Sequence, residues 1–553
     1  MHPEGGMGRS IPAALGAIAL LAACRGSGKS SSEIRQGDSF ERELNPGEEH
    51  VYAVPLAAGE SALVVVEQRG VDIVVEVLDP TGKTIASVDS PNGRQGDEPV
   101  LLEPEAGGTF TLRVRPIGAD EPAARYELRY AWRRDAQATA AALHASQQWL
   151  ARASAAIPPI PALDPWLKGV RVVGIGEATH GSRELGDLRL SLTQALVERY
   201  GFRVVAIEAS ADKYRALAPY VAGQSDEPLP SLPGPGWIWI GQRTQRELIE
   251  WVRAWNRAHK GEPVRIVGVD ANDNAIARAT LARFLADTYR GTEVEKAWPA
   301  AAKELAAADE QSFIFGDSGV DAATWKLLER LNTDRDSGAA PWRNARVEAE
   351  EALSILTEFA AFNAVGDIGE VPRSRDTYMA RRVLRALQRD GASDKAVYWA
   401  HNAHVIHRKG STRTAGGELR KELGLAYVAI ATTFGEGGFL AEIPNDLEDD
   451  LAISNVPMAP AGTVESALAL VRTGGSLALW RPDLAEAEIP LWFQVPRRMH
   501  WVGGLYRPDS NPSDAFQPYM VVSDFDGVAY VPRVAAEDVI AQPRIPARAR
   551  APR

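Results

Sequence analysis

Four places in the chain put a carboxylate or an imidazole directly after an apolar, strand-like run. VVGIGEATHGSRE (172–184) sets Glu177 three residues before His180, VVAIEAS closes on Glu208, and IVGVDAND contains Asp270. YWAHNAHVIH carries His401, His404 and His407. A histidine oriented or tuned by a carboxylate is general-base equipment near neutral pH. Taken singly, each residue has a structural reading: Glu177 and Glu208 as charges at helix N-termini, Asp270 as an N-cap, His401 as a satisfied core histidine. Taken together they argue for one cluster. Independent caps draw on Ser, Thr, Asn and Asp, not on Glu and His, and four of the nine histidines fall in two of these places.

A nucleophilic hydrolase needs an activated serine or cysteine. There is no G-x-S-x-G elbow, and the one cysteine, Cys24, lies far upstream. GDSGV (316–320) resembles a serine-protease nucleophile loop, but it lacks the following glycine and lies in a helix-prone stretch. Water is therefore the expected nucleophile, activated by a histidine directly or through a metal. Glu177-x-x-His180 and His401-x-x-His404 could supply zinc ligands. H-E-x-x-H is absent, however, and both pairs follow strands instead of lying within a helix. The reading adopted from the sequence has no metal and no cofactor.

These residues need a scaffold that brings strand ends together. Strand candidates at 171–176, 203–207, 264–269, 396–400 and 427–433 alternate with helical stretches, and 275–395 is rich in Ala, Glu, Leu and Arg. That order predicts a parallel α/β sheet, which presents the C-terminal ends of all its strands along one edge, where ligands bind. GPGWIWIGQR (234–243) is expected to line a pocket wall with Trp237 and Trp239. Upstream the pattern changes. HVYAVPL, SALVVVEQ, VDIVVEVLD, TIASVD, TFTLRVRP and RYELRY are short period-two runs, and Asp79-Pro80-Thr81-Gly82 is a turn signal. They predict a β-sandwich, unsuited to catalysis because His50 is its only histidine.

At 553 residues the chain exceeds one hydrophobic core, so several domains are expected. The formal charge of -12, without a basic block, argues against nucleic acid as a partner. IPAALGAIALLAAC ends in Leu21-Ala22-Ala23-Cys24 and resembles the lipobox of bacterial lipoproteins, where the cysteine is lipidated after cleavage. Met7 would give this signal a cleaner start than Met1. Gly28-Lys29-Ser30 ends like a P-loop, but Ala23 and Cys24 stand where the loop needs its first glycine.

GEATHG with Arg183-Glu184, then Ile207-Glu208-Ala209, RELIEWVRAWN, VGVDAND, WAHNAHV, GLAYVAIATTFGEG and FDGVAYV occur in that order. The set resembles the erythromycin esterase family over roughly residues 165–535. The resemblance implies an α/β fold with helical insertions and hydrolysis of an ester or macrolide lactone by histidine-activated water. It implies His180 as base, Glu177 as its acidic partner, and Glu208, His401 and His404 as catalytic residues. It further implies Arg189 and Arg375 as basic substrate-binding positions. His407 has no implied role and is expected on a helix face; Asp270 is expected to be a structural or supporting residue. The N-terminal sandwich resembles the bacterial pre-peptidase C-terminal type of domain. The expected fold is thus multidomain, an all-β sandwich followed by an α/β domain with a mostly parallel sheet. The expected boundaries are a signal peptide (1–24), a tether (25–36), the sandwich (37–133), a helical linker (134–164), the catalytic domain (165–535) and a tail (536–553). The whole reads as an extracytoplasmic lipoprotein of the bacterial envelope, held to membrane only through Cys24 and acting on a small-molecule ester or lactone. A metal-dependent hydrolase and a non-catalytic binding lipoprotein are the competing readings.

Overall fold

The period-two runs fold into two sheets packed face to face. The computed structural model describes residues 32–538 apart from 91–93, 119–120, 158–159, 226–241, 271–272, 312–318, 365–373, 389–394, 408–413, 443–450, 481–488, 505 and 507–511. Cys24, Trp237 and Trp239 therefore lie outside the described residues. Strands β1 (Ser32–Glu33), β3 (His50–Leu56), β8 (Gly108–Pro116), β5 (Ile73–Leu78) and β6 (Thr84–Val88) form one sheet in that order. Strands β2 (Ser39–Leu44), β9 (Ala124–Arg134), β4 (Ser61–Arg69) and β7 (Gln95–Leu102) form the other. Their inner faces share one core of Val, Leu, Ile, Phe and Tyr. Strand β4 lacks the expected alternation and is buried on both faces. The reason is a second contact: Leu63 and Val65 point away from the sandwich core and pack with Val495 of the α/β domain, beside Leu101 and Trp132.

The second domain is a nine-stranded sheet. Its order is β10 (Ser154–Ala156), β17 (Ser476–Leu479), β20 (Gly527–Val534), β15 (Tyr427–Glu442), β11 (Val172–Ile175), β14 (Ala396–Trp399), β12 (Val204–Ser210) and β13 (Arg265–Asp270), with β16 (Leu451–Val456) paired to β15. The six strands from β20 to β13 run parallel, whereas β10, β16 and β17 pair antiparallel. From β11 the chain crosses to β12 and β13, returns to β14 between β11 and β12, then passes to β15 on the far side of β11. This reversal is a topological switch point, where a crevice opens at the strands' C-terminal ends.

Helices cover both faces. On one lie α2 (Arg183–Tyr200), α3 (Ala211–Val221) and α4 (Arg243–Ala258); on the other, α1 (Ala136–Ala153) packs among later helices. Between β13 and β14, α5 (Ala275–Thr288), α6 (Glu293–Gln311), α7 (Ala322–Asp336) and α8 (Val347–Phe362) build the expected helical insertion around a separate core. It is followed by α9 (Arg375–Gln388). Three sequence expectations shift. The segment 134–164 is not a free linker, since β10 adds a strand to the sheet through β17. The tail expected from 536 begins within the domain, because Glu537 is buried and bonds Thr244. The fifth predicted strand runs on past Thr433 to Glu442, since it gains β16 as an antiparallel partner.

Candidate active site

Strand β11 ends at Ile175, and the loop GEATHG turns across the sheet edge into α2. Ser182 caps that helix by accepting from the Leu185 N–H, and Glu184 sits in its first turn. Close approach of neighbouring groups, backbone at one and a side chain at the other, explains the loop's glycines. A Cβ on Gly181 would lie 2.2 Å from the Leu440 carbonyl oxygen, and one on Gly176 would lie 2.1 Å from Asn402 Oδ1. The loop therefore holds Glu177 and His180 over the sheet. His180 Nδ1 lies 2.6 Å from Glu177 Oε1. On the other carboxylate oxygen, Arg189 Nη2 of α2 stands 2.8 Å away, its guanidinium 4.5 Å from the Trp399 ring centroid. Trp399 is fixed in turn, its Nε1 donating to Thr193 Oγ1 at 2.8 Å.

Glu208 comes from β12, where the ladder to β13 shifts register between Ile207 and Ser210. Its Oε2 accepts the backbone N–H of His401 at 2.8 Å. Its Oε1 meets Arg375 Nη2 at 2.8 Å and His404 Nε2 at 3.2 Å. Arg375, the first residue of α9, also clasps Asp270 at the end of β13, with Nε donating to Oδ1 at 2.9 Å and Nη2 to Oδ2 at 2.5 Å. His404 lies in the short helix α10 (Asn402–Val405), and its Nδ1 meets Asp376 Oδ1 at 2.9 Å. His401 caps α10, its Nδ1 accepting from the Ala403 N–H at 3.2 Å, so its proton resides on Nε2. The His401 and His180 ring centroids are 5.5 Å apart. The Asn402 N–H donates to the Glu177 carbonyl at 2.9 Å, locking the HNAH turn to the GEATHG loop.

The electrostatics follow from these contacts. Burial disfavours the His180 imidazolium, yet the bonded Glu177, helped by Glu208, holds His180 above the ordinary histidine value. Burial raises the Glu177 carboxyl, but Arg189 and His180 bring it below its usual range. Glu208 is likewise pulled well down, against burial, by His404 and Arg375. Against the same desolvation, Asp376 and Glu208 push His404 up to about 10. His404 therefore donates from both nitrogens to carboxylates. The 3.3 Å approach of Arg375 Nη1 to its Nε2 is then a crowding of two cations around one acceptor, not a hydrogen bond. His401, buried and beside His180, falls to about 3 and stays neutral. Four carboxylates (Glu177, Glu208, Asp270 and Asp376) thus face two guanidiniums and two imidazoles, and a proton on His180 brings the group to neutrality.

A small cleft beside this network is lined by Glu177, His180, Arg189, Ile207, Glu208, Gln242, Gln245 and Trp399. Of the five residues expected to be catalytic, Glu177, His180 and Glu208 line the cleft, while His401 and His404 lie behind it, against His180 and on Glu208 respectively. Arg189 and Arg375, expected to meet substrate, both hold carboxylates, although Arg189 also borders the cleft. His407 is not on a helix face; it lies beyond the end of α10, buried, its Nε2 2.9 Å from Asp526 Oδ2. With both ring nitrogens of His404 turned to carboxylates, the zinc pairing considered from sequence does not assemble. No group of three or more His, Cys, Asp or Glu arranged to hold a metal ion is found among the described residues. Gln242 belongs to the segment 234–243 that was expected to line a pocket wall, and it does border the cleft; sequence reasoning gave it no role of its own and passed over Gln245. Their i, i+3 spacing at the start of α4 was the available signal, since it puts both on one helix face.

Comparison with known proteins gives a consistent picture. Residues 197–534 match the family model described as erythromycin esterase. The chain is similar to the erythromycin esterase type II of Escherichia coli, with 20% identity over 405 residues covering 67% of this chain and 91% of that protein. It is also similar to the type I enzyme of Escherichia coli, with 25% identity over 272 residues covering 43% and 63%. A crystal structure of a Bacillus cereus protein superposes with a TM-score of 0.58 at 16% identity, covering 72% of this chain and 99% of that one, which supports the fold.

Proposed function

The chain belongs to the erythromycin esterase family, and on that premise we propose that it hydrolyses a carboxylic ester or lactone using water deprotonated by His180. The observation that carries this reading is the 2.6 Å contact of His180 Nδ1 with Glu177 Oε1 at the wall of the cleft. A carboxylate on Nδ1 fixes the proton there and leaves Nε2 as the basic nitrogen. Nε2 takes a proton from water as its oxygen bonds to the ester carbonyl carbon. When the tetrahedral species collapses, the bond to the alcohol oxygen breaks and the imidazolium returns that proton to it. Arg189 holds Glu177 in place, and His404 and Arg375 keep Glu208 ionised. His401 remains neutral, which spares His180 a competing cation.

The substrate class proposed is a small-molecule ester or lactone, macrolide-like by kinship with the two esterases. The lipobox supports placing the enzyme on a lipid tether at Cys24, outside the cytoplasm. The test is incubation of the protein with a panel of aryl esters and macrolides and mass-spectrometric identification of products. A gain of one water in a substrate, or release of acid and alcohol, supports the proposal. A panel recovered unchanged while the protein still binds a panel member contradicts it.

A further inference from the structure

Gln245 is buried, at 5% exposure, and borders the same cleft as His180. Its Oε1 accepts the hydroxyl proton of Tyr214, the two atoms 2.7 Å apart. Tyr214, on α3, is itself buried, and burial raises its phenol so that it keeps this proton. A buried hydroxyl must find an acceptor, so the amide oxygen has to face Tyr214. The amide –NH₂ is thereby turned away from the tyrosine, and it has no hydrogen-bond partner among the described residues. Of the other polar groups of the cleft, Arg189 is committed through Nη2 to Glu177 and is a full cation in place of a neutral donor. Glu177 and Glu208 are acceptors that repel negative charge, and Gln242 donates its Nε2 to the His180 carbonyl. Gln245 also lies in the first turn of α4, at the positive end of that helix.

We propose that Gln245 donates its amide hydrogen to the carbonyl oxygen of the substrate ester as negative charge develops there, with Tyr214 as the residue that positions it. The inference rests on the ester-hydrolase reading. A fixed neutral donor suits this task because it lies ready before the charge appears and adds no cation to compete with His180.

The test uses the full chain with Gln245→Met, Tyr214→Phe and His180→Ala, one aryl ester, and a non-hydrolysable aryl phosphonate as an anionic tetrahedral probe. Gln245→Met should lower kcat on the order of 10²–10³-fold with KM little changed and the acid limb of the pH profile where wild type has it. Tyr214→Phe should lower kcat less, about tenfold, with the same unmoved acid limb. Phosphonate affinity measured by calorimetry should weaken in Gln245→Met. If Gln245→Met keeps the wild-type kcat while His180→Ala is inactive, the Gln245 assignment is overturned and the esterase reading stands. If wild type cleaves no ester, the esterase reading fails by itself and the phosphonate decides: weaker binding in Gln245→Met supports Gln245 as the anion donor, and equal binding overturns it.

Discussion

At His180 two effects oppose each other, and their balance makes a prediction. Burial disfavours the imidazolium, while Glu177 at 2.6 Å, helped by Glu208, favours it, and the carboxylates together prevail. A base works only when unprotonated, so kcat should fall as pH drops through a midpoint above the ordinary histidine value of about 6.5. Glu177→Gln removes the charge that lifts this midpoint and leaves Arg189 facing His180. The acid limb should move to lower pH, and kcat should fall on the order of 10²–10⁴-fold. A pH–rate profile of both proteins checks this; an unmoved limb would mean that Glu177 does not tune the base. His404 behaves differently. Raised to about 10 in the fold, it contributes stability that is fully present below about 6.5 and is lost as pH climbs toward 10. The melting temperature of wild type should therefore decline across that window, and His404→Gln should flatten the decline.

At the scale of elements, Arg375 binds α9 to the ends of β12 and β13 by holding Glu208 and Asp270 together. Arg375→Met leaves two buried carboxylates facing each other, a loss of about 3–5 kcal/mol, measurable as a lower urea midpoint. Much of this site was legible in the residues themselves. Glu177, Glu208, Asp270 and His401 each follow a continuous apolar run, and a parallel sheet gathers such positions on one edge. What was not legible has physical causes. Gln242 and Gln245 open an ordinary amphipathic helix, and their importance comes from Tyr214 and His180, which lie distant in sequence. The roles of Arg189 and Arg375 depended on which carboxylates the fold brought within reach. The antiparallel strands β10 and β17 span only three and four residues, too few for periodicity to declare them.

At the scale of the molecule, the sandwich is docked onto the α/β domain. Arg497, 1% exposed, pairs with Glu103 of the sandwich, and Arg498 Nη1 donates to the Ile85 carbonyl at 3.3 Å. Arg497 begins strand β18 (Arg497–His500), which leads directly into the site. Trp501 stands edge-on to His401 with ring centroids 5.0 Å apart, and the Val502 N–H donates to the Ala178 carbonyl at 2.7 Å. Glu103→Ala strands a buried guanidinium and should destabilise the chain by about 3–5 kcal/mol, read by urea denaturation. A change within error would mean that the sandwich is only loosely held. All of these arguments turn on His180 as the group that activates water. The most direct test is aryl-ester turnover by wild type and His180→Ala, each assayed with and without a strong chelator. The account predicts wild-type turnover that survives the chelator and a His180→Ala rate lower by about 10²-fold or more. A variant that retains the wild-type rate, or wild-type activity that chelator abolishes and added metal restores, would contradict it.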